Sequence, residues 1–97
     1  MQHVKRIEII TDALVMGEVI RVLEREGVSG YTVVPNVTGK GERGAQSGDD
    51  LTDVFKNSML ITACDVERVA SLVEAIRPML ARRGGVCLVS DAQWVIH

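Results

Sequence analysis

Two short segments rich in glycine and basic residues carry most of the chemical potential of this 97-residue chain. In the first, Gly39-Lys40-Gly41-Glu42-Arg43-Gly44, close glycine spacing lets backbone N–H groups approach an anion, and Lys40 and Arg43 add positive charge. The same letters fit the G-x-G-x-x-G dinucleotide fingerprint, which needs a helix to begin inside the motif so that its N-terminus meets the pyrophosphate. Here Ala45-Gln46-Ser47-Gly48-Asp49-Asp50 continues without helix formers or apolar period, so a Rossmann site is excluded. An anion-holding loop or an ordinary charged surface loop remains. The second segment, Arg82-Arg83-Gly84-Gly85, also fits the common end of a helix, where cations meet the dipole and glycine stops the chain. The two segments gain ligand meaning together, if an oligomer brings them to one cleft where a phosphate sits between subunits.

Other chemistry is sparse. His3 and His97 lie near the two ends without a Ser, Cys or carboxylate partner in a shared motif, so frayed ends are expected rather than a triad or metal site. Asp49, Asp50 and Asp53 read as solvated carboxylates of a glycine-rich loop, and no metal is expected. Cys64 and Cys87 stand in apolar runs without a C-x-x-C and read as small buried hydrophobes. Eleven Lys and Arg against thirteen Asp and Glu give a net charge of −2, which supplies no field to hold a nucleic-acid polymer. Tyr31, Phe55 and Trp94 are too few aromatics for a stacking platform or a membrane belt. Charges inside the first apolar stretch and the lack of a bilayer-length apolar run predict neither a signal peptide nor a transmembrane segment, with the cytoplasm as the default compartment.

The elements that must position these residues are legible as an alternation of strand and helix patterns within one domain. Val4 to Ile10 is β-branched, with Ile7 and Ile9 on one face and Val4, Arg6, Glu8 and Ile10 on the other. Thr11 or Asp12 then caps a helix over Leu14 to Glu26, and Gly27 stops it. Tyr31 to Val37 is a second strand, in which Pro35 requires an edge, a bulge or a strand end. Gly39 to Asp53 is a long loop, and Met59 to Cys64 a third strand. Asp65 is expected to cap a second helix with an apolar stripe of Val66, Val69, Val73, Ile76 and Leu80, kinked by Pro78 and ended by Gly84-Gly85. Val86 to Val89 is a fourth strand, Ser90-Asp91 a turn, and Trp94 to Ile96 a short closing strand. This order describes a split βαβ with two helices on one face of a four-stranded antiparallel sheet. The other face, carrying Val4, Ile10 and residues of both parities of Met59-Leu60-Ile61, is too apolar for water, so a second copy of the chain is expected to cover it. Trp94 is expected to anchor that contact or the core.

With the elements in place, Gly30-Tyr31-Thr32-Val33-Val34 leading into Gly39-Gly44, and then Gly84-Gly85-Val86-Cys87-Leu88-Val89-Ser90-Asp91, resemble the PII-like signalling proteins. The likeness is to the carboxysome-associated and bicarbonate-transporter-associated branch. It implies one α+β domain over 1–97, a ferredoxin-like βαββαβ sandwich assembled as a homotrimer, with a flexible T-loop at about 38–55 between the second and third strands. It implies no obligatory cofactor, and ADP or AMP in clefts between subunits. The nucleotide would be held at the loop base by Gly39, Lys40, Gly41 and Arg43, which would also take bicarbonate, and after the second helix by Arg82, Arg83 and Gly84. Gly30, Tyr31, Thr32, Val33 and Val34, with Gly85, Val86 and Cys87, would line base and ribose. The implied role is a non-enzymatic sensor of inorganic-carbon metabolism that presents its T-loop to a protein target, in the cytoplasm and in association with the carboxysome.

Departures from the family narrow the expectation. Arg83-Gly84-Gly85-Val86-Cys87-Leu88-Val89-Ser90 replaces the Thr-Gly-x-x-Gly-Asp-Gly-Lys stretch of the nitrogen-regulatory members and lacks its lysine, so ATP with 2-oxoglutarate is not expected. The T-loop holds no tyrosine, so uridylylation is not expected there, and the cysteine-bounded C-terminal extension of some relatives is missing, so neither is redox control of that kind. Ordering a long glycine-rich loop costs roughly 1–2 kcal/mol per residue fixed, and charge-assisted contacts to an anion offset part of this and select one loop shape. The competing readings are a small oligomeric ferredoxin-like enzyme using Asp49 and Asp50 as acid and base, and a purely structural oligomer.

Overall fold

The computed structural model describes residues 1–39 and 57–97. Strand β1 (Gln2–Asp12) leads into helix α1 (Met16–Arg25), strands β2 (Thr32–Val37) and β3 (Asn57–Cys64), helix α2 (Val69–Arg83) and strand β4 (Val86–Trp94). The strands form one antiparallel sheet in the order β2-β3-β1-β4, the α+β, ferredoxin-like βαββαβ arrangement expected. Ile7 and Ile9 of β1, Leu60 of β3, Val19, Val22 and Leu23 of α1, and Leu72, Ile76 and Met79 of α2 build the core between the sheet and the two helices.

Several local expectations shift for identifiable reasons. Asp12 does not start a helix directly: its Oδ1 accepts the Leu14 N–H at 2.8 Å and its carbonyl accepts the Val15 N–H at 2.8 Å, so a turn precedes α1. Asp65 makes no capping bond to the backbone and opens a 3-10 turn over Val66–Arg68. Val66 is therefore outside α2 and exposed, while the rest of the expected stripe faces the core: Ile76 is buried, Leu80 packs against the core and Val69 and Val73 are half-buried, with Leu72 and Met79 buried beside them. Pro78 stands inside α2, which continues five residues beyond it to Arg83. On β2, an edge strand, the register shifts between Val34 and Val37, and Asn36 takes a φ of 59°, so Pro35 sits at a bulge as its missing donor requires.

The C-terminal elements differ most from expectation. There is no Ser90-Asp91 turn and no separate closing strand: β4 runs unbroken, with Ser90 opposite Arg6 and Asp91 opposite Lys5. The Lys5 ammonium pairs with the Asp91 carboxylate across the two strands, which compensates a residue type that strands otherwise disfavour. His3 likewise is not frayed but lies in β1 opposite Gln93.

Among the described residues, nothing covers the face of the sheet away from the helices. Register aligns Val34, Met59, Ile10 and Val86 in one row across it, and Thr32, Ile61, Glu8 and Leu88 in the next. Val86 is 47% exposed, Leu88 55% and Trp94 55%, so Trp94 is no core anchor of the isolated subunit. Two charged residues of this face, Arg6 and Glu8, pair with each other.

Gly84 and Gly85 end α2 in different ways. Gly84 has a φ of 86° with open space where a Cβ would go, whereas Gly85 has a φ of 132° and a Cβ there would lie 2.7 Å from the Ile10 carbonyl oxygen. Each alanine substitution should therefore lose about 1–3 kcal/mol from backbone strain, and Gly85→Ala more than Gly84→Ala because of the added collision. Denaturant midpoints of the two variants against wild type measure the order.

Candidate functional site

Antiparallel pairing decides which of the sequence-marked residues can meet. The ends of β1 and β2 and the starts of β3 and β4 share one end of the sheet, here the loop end; the starts of β1 and β2 and the ends of β3 and β4 share the distal end. Gly39, just beyond β2, and Arg82 to Cys87, leading into β4, therefore belong to the same loop end within one subunit. They sit on opposite edges, three strand spacings or about 14 Å apart. Gly30 and Tyr31 lead into β2 at the distal end. Because β2 and β4 are the two edges and run in opposite directions, the segments that lead into them, Gly30-Tyr31 and Gly84-Gly85, lie diagonally across the sheet, about 15 Å along the strands and about 14 Å across them. Lys40, Gly41, Arg43, Asp49, Asp50 and Asp53, and T-loop positions 40–55 in general, lie outside the described residues.

At the loop end the Gly84-Gly85 turn is fixed from below. The Gly84 N–H donates to the Leu80 carbonyl at 2.7 Å, closing α2, and the Thr11 hydroxyl donates to the Gly84 carbonyl at 2.9 Å. Beyond the turn, Val86 projects onto the open face beside Ile10, whereas Cys87 packs its side chain against the core and offers a ligand only its backbone. Burial pushes the Cys87 thiol above the ordinary thiol range, and Cys64 is raised in the same way, so both are protonated at neutral pH and behave as small hydrophobes. On β2, Val33 packs on the core and Val34 lies on the open face with Thr32.

The arginines of the second segment already have a partner. Arg83 Nη2 donates to Glu18 Oε1 at 2.7 Å and Arg82 stands 3.6 Å from Glu18 Oε2, a bridge between the end of α2 and the start of α1. The hydrogen bond from Arg83 holds the Glu18 carboxyl below the usual carboxylate range, against the opposing effect of burial and with help from the charges of Arg83, Arg82 and Arg21. Both guanidinium groups are about half exposed, and exposed pairs of this kind contribute little, so exchange of Glu18 for a phosphate is cheap. The spacing of sixty-five residues between Glu18 and Arg83 kept this partner out of sight in the sequence.

Two of the grooves among the described residues border the sequence-marked positions. One, about 810 Å³, runs between the helices past Glu18, Arg21, Arg25, Pro78, Met79 and Arg82. The other, about 730 Å³, lies at the distal end, where Gly27 to Thr32 face Ile61 to Asp65, with Arg6, Arg68 and Trp94 around it. It contains Gly30, Tyr31 and Thr32, and adds Arg6, Arg68 and Trp94 as polar and aromatic lining. Strand alternation places Arg6 and Trp94 on the open face, which was the available signal for both. Among the described residues, no three or more His, Cys, Asp or Glu side chains come together to hold a metal, and no helix is long and apolar enough to cross a membrane.

The family model described as nitrogen regulatory protein P-II matches residues 4–96 of this chain. The chain belongs to the P-II family. Among solved structures of P-II-like proteins, CPII from Thiomonas intermedia K12 bound to ADP, AMP and bicarbonate is 30% identical, with a TM-score of 0.82 over 98% of this chain and 96% of that one. CPII bound to ADP and bicarbonate matches at 35% identity and a TM-score of 0.79, over 95% of this chain and 88% of that one. A PII-like signalling protein from Thermus thermophilus, 22% identical over 97% of this chain and 91% of that one with a TM-score of 0.76, shares the P-II fold. No curated protein sequence matches the chain.

The Glu18 bridge gives a signed pH dependence. A carboxyl depressed in the folded state contributes stability that is present above its unfolded pKa and fades as pH falls through the folded one. Glu18→Gln should therefore lower the denaturant midpoint slightly at neutral pH and leave it equal to wild type in strong acid; an unchanged gap in acid would contradict the bridge.

Proposed function

We propose that this P-II protein is a homotrimeric sensor that binds ADP or AMP in clefts between subunits, with bicarbonate as a second anion. Support for the ligands comes from the structures of CPII, which hold ADP, AMP and bicarbonate. The observation that carries the inter-subunit reading is the diagonal separation of Gly30-Tyr31 from Gly84-Gly85. One subunit cannot close both around a single nucleotide, but a neighbour covering the apolar sheet face can bring its distal end to the first subunit's loop end. A head-to-tail contact of this kind closes into a ring.

In this arrangement the loop end supplies phosphate contacts through Gly39, Lys40, Gly41 and Arg43 and through Arg82 to Gly85, and the row of Val34, Met59, Ile10 and Val86 offers an apolar wall for the base. The neighbour supplies Gly30, Tyr31 and Thr32. Phosphate or bicarbonate then offsets part of the cost of ordering the T-loop, about 38–55, and selects a shape that a protein target reads. The chemistry is binding, not turnover, and the signal is the inorganic-carbon state of the cell. A cytoplasmic location in association with the carboxysome belongs to the same proposal.

Calorimetric titration of the purified protein with ADP, AMP and bicarbonate tests the reading, with product analysis of the same samples. Binding without hydrolysis is expected; turnover above solvent background, or no heat with any of the three, would overturn it. Arg43→Ala should keep the oligomer intact and weaken ADP or bicarbonate by about 1.5–3 kcal/mol, the usual loss of a hydrogen bond to a charged group. Unchanged affinity for both would remove Arg43 from the site.

A further inference from the structure

A buried threonine hydroxyl lies beneath the Gly84-Gly85 turn, and another beneath Gly30. Thr11, 2% exposed on the core face of β1, donates to the Gly84 carbonyl at 2.9 Å. Thr62, 5% exposed on the core face of β3, donates to the Gly30 carbonyl at 2.6 Å. Both share that face with Ile7, Ile9 and Leu60, where an unbonded hydroxyl is costly and an apolar side chain would serve the core better. Neither bond belongs to the sheet ladder or to a helix; each ties a strand to a carbonyl outside the regular elements, seventy-three and thirty-two residues away in the chain.

These bonds orient peptide planes. In a trans peptide the N–H points opposite to the preceding C=O, and among the described residues no peptide bond is cis. A Gly84 carbonyl drawn to Thr11 therefore turns the Gly85 N–H away from the core, and a Gly30 carbonyl drawn to Thr62 does the same for the Tyr31 N–H. We infer that Thr11 and Thr62 are positioning residues for one shared adenine-nucleotide site, each fixing the peptide plane whose N–H meets the ligand: Gly85 from one subunit and Tyr31 from the next. This rests on the inter-subunit reading above and extends it to two residues that touch no ligand.

The test measures ADP affinity by calorimetry for Thr11→Val and Thr62→Val, which keep bulk and lose the hydroxyl, and for Thr11→Ser and Thr62→Ser, which keep it. Ile76→Val, a core change on the α2 side, controls for stability alone. Each valine variant should bind about tenfold more weakly, with the serine variants and Ile76→Val within about twofold of wild type. Thr11→Ala or Thr62→Ala replaces a valine variant that fails to assemble, with the same expected loss. Thr11→Val and Thr62→Val chains refolded together should then regain tight binding in about a quarter of the clefts, those that pair an intact loop end with an intact distal end. Equal affinity in wild type and valine variants, an equal loss in the serine variants or in Ile76→Val, or no tight class in mixed rings would overturn the inference while leaving the nucleotide reading in place. A wild-type protein that binds no adenine nucleotide would overturn both.

Discussion

An apolar sheet face that the described residues leave open is the constraint on which the rest of the molecule depends. Two helices cover the side of Ile7, Ile9 and Leu60, and the opposite side presents Val34, Val86, Leu88 and Trp94 to solvent. Fully burying a side chain of this size is worth about 1.5–3 kcal/mol, so covering this face with a second copy supplies a substantial driving force for association. The charged pair on that face opposes it less than separate charges would, because Arg6 and Glu8 enter an interface already paired with each other.

Once that face is covered by a neighbour, the pairing of the strands decides what the assembly can hold. Each subunit offers a loop end, with Gly39 and the Arg82 to Gly85 turn, and a distal end, with Gly30, Tyr31 and the groove beside Arg68 and Trp94. In the proposed sensor neither end is a complete site for an adenine nucleotide, and their diagonal placement makes the second half the neighbour's to give. The half-exposed Glu18 bridge to Arg82 and Arg83 fits the same scheme, since it neutralises two cations in the free subunit at little cost to their release.

Much of the fold was legible because its local signals agree with one another. β-Branched runs, glycine stops after both helices and Pro35 at an edge bulge all point to βαββαβ, and membership of the P-II family follows from nearly the whole chain. What escaped was non-local. The start of α2 depends on a 3-10 turn at Val66–Arg68, the continuity of β4 on Lys5 across from Asp91, and the partner of Arg83 on Glu18 in another helix. The site shows the same division: the glycines were visible in the sequence, whereas the separation of Gly30 from Gly84, and the threonines beneath them, required knowing which strands pair.

The most direct measurement is ADP binding by a chain that cannot associate. Leu88→Glu places a charge at the centre of the open face, at a residue exposed enough in the isolated subunit for the fold to tolerate it. The account predicts a folded monomer, by light scattering and circular dichroism, that has lost ADP binding; a folded monomer that binds ADP as tightly as the wild-type protein would contradict it.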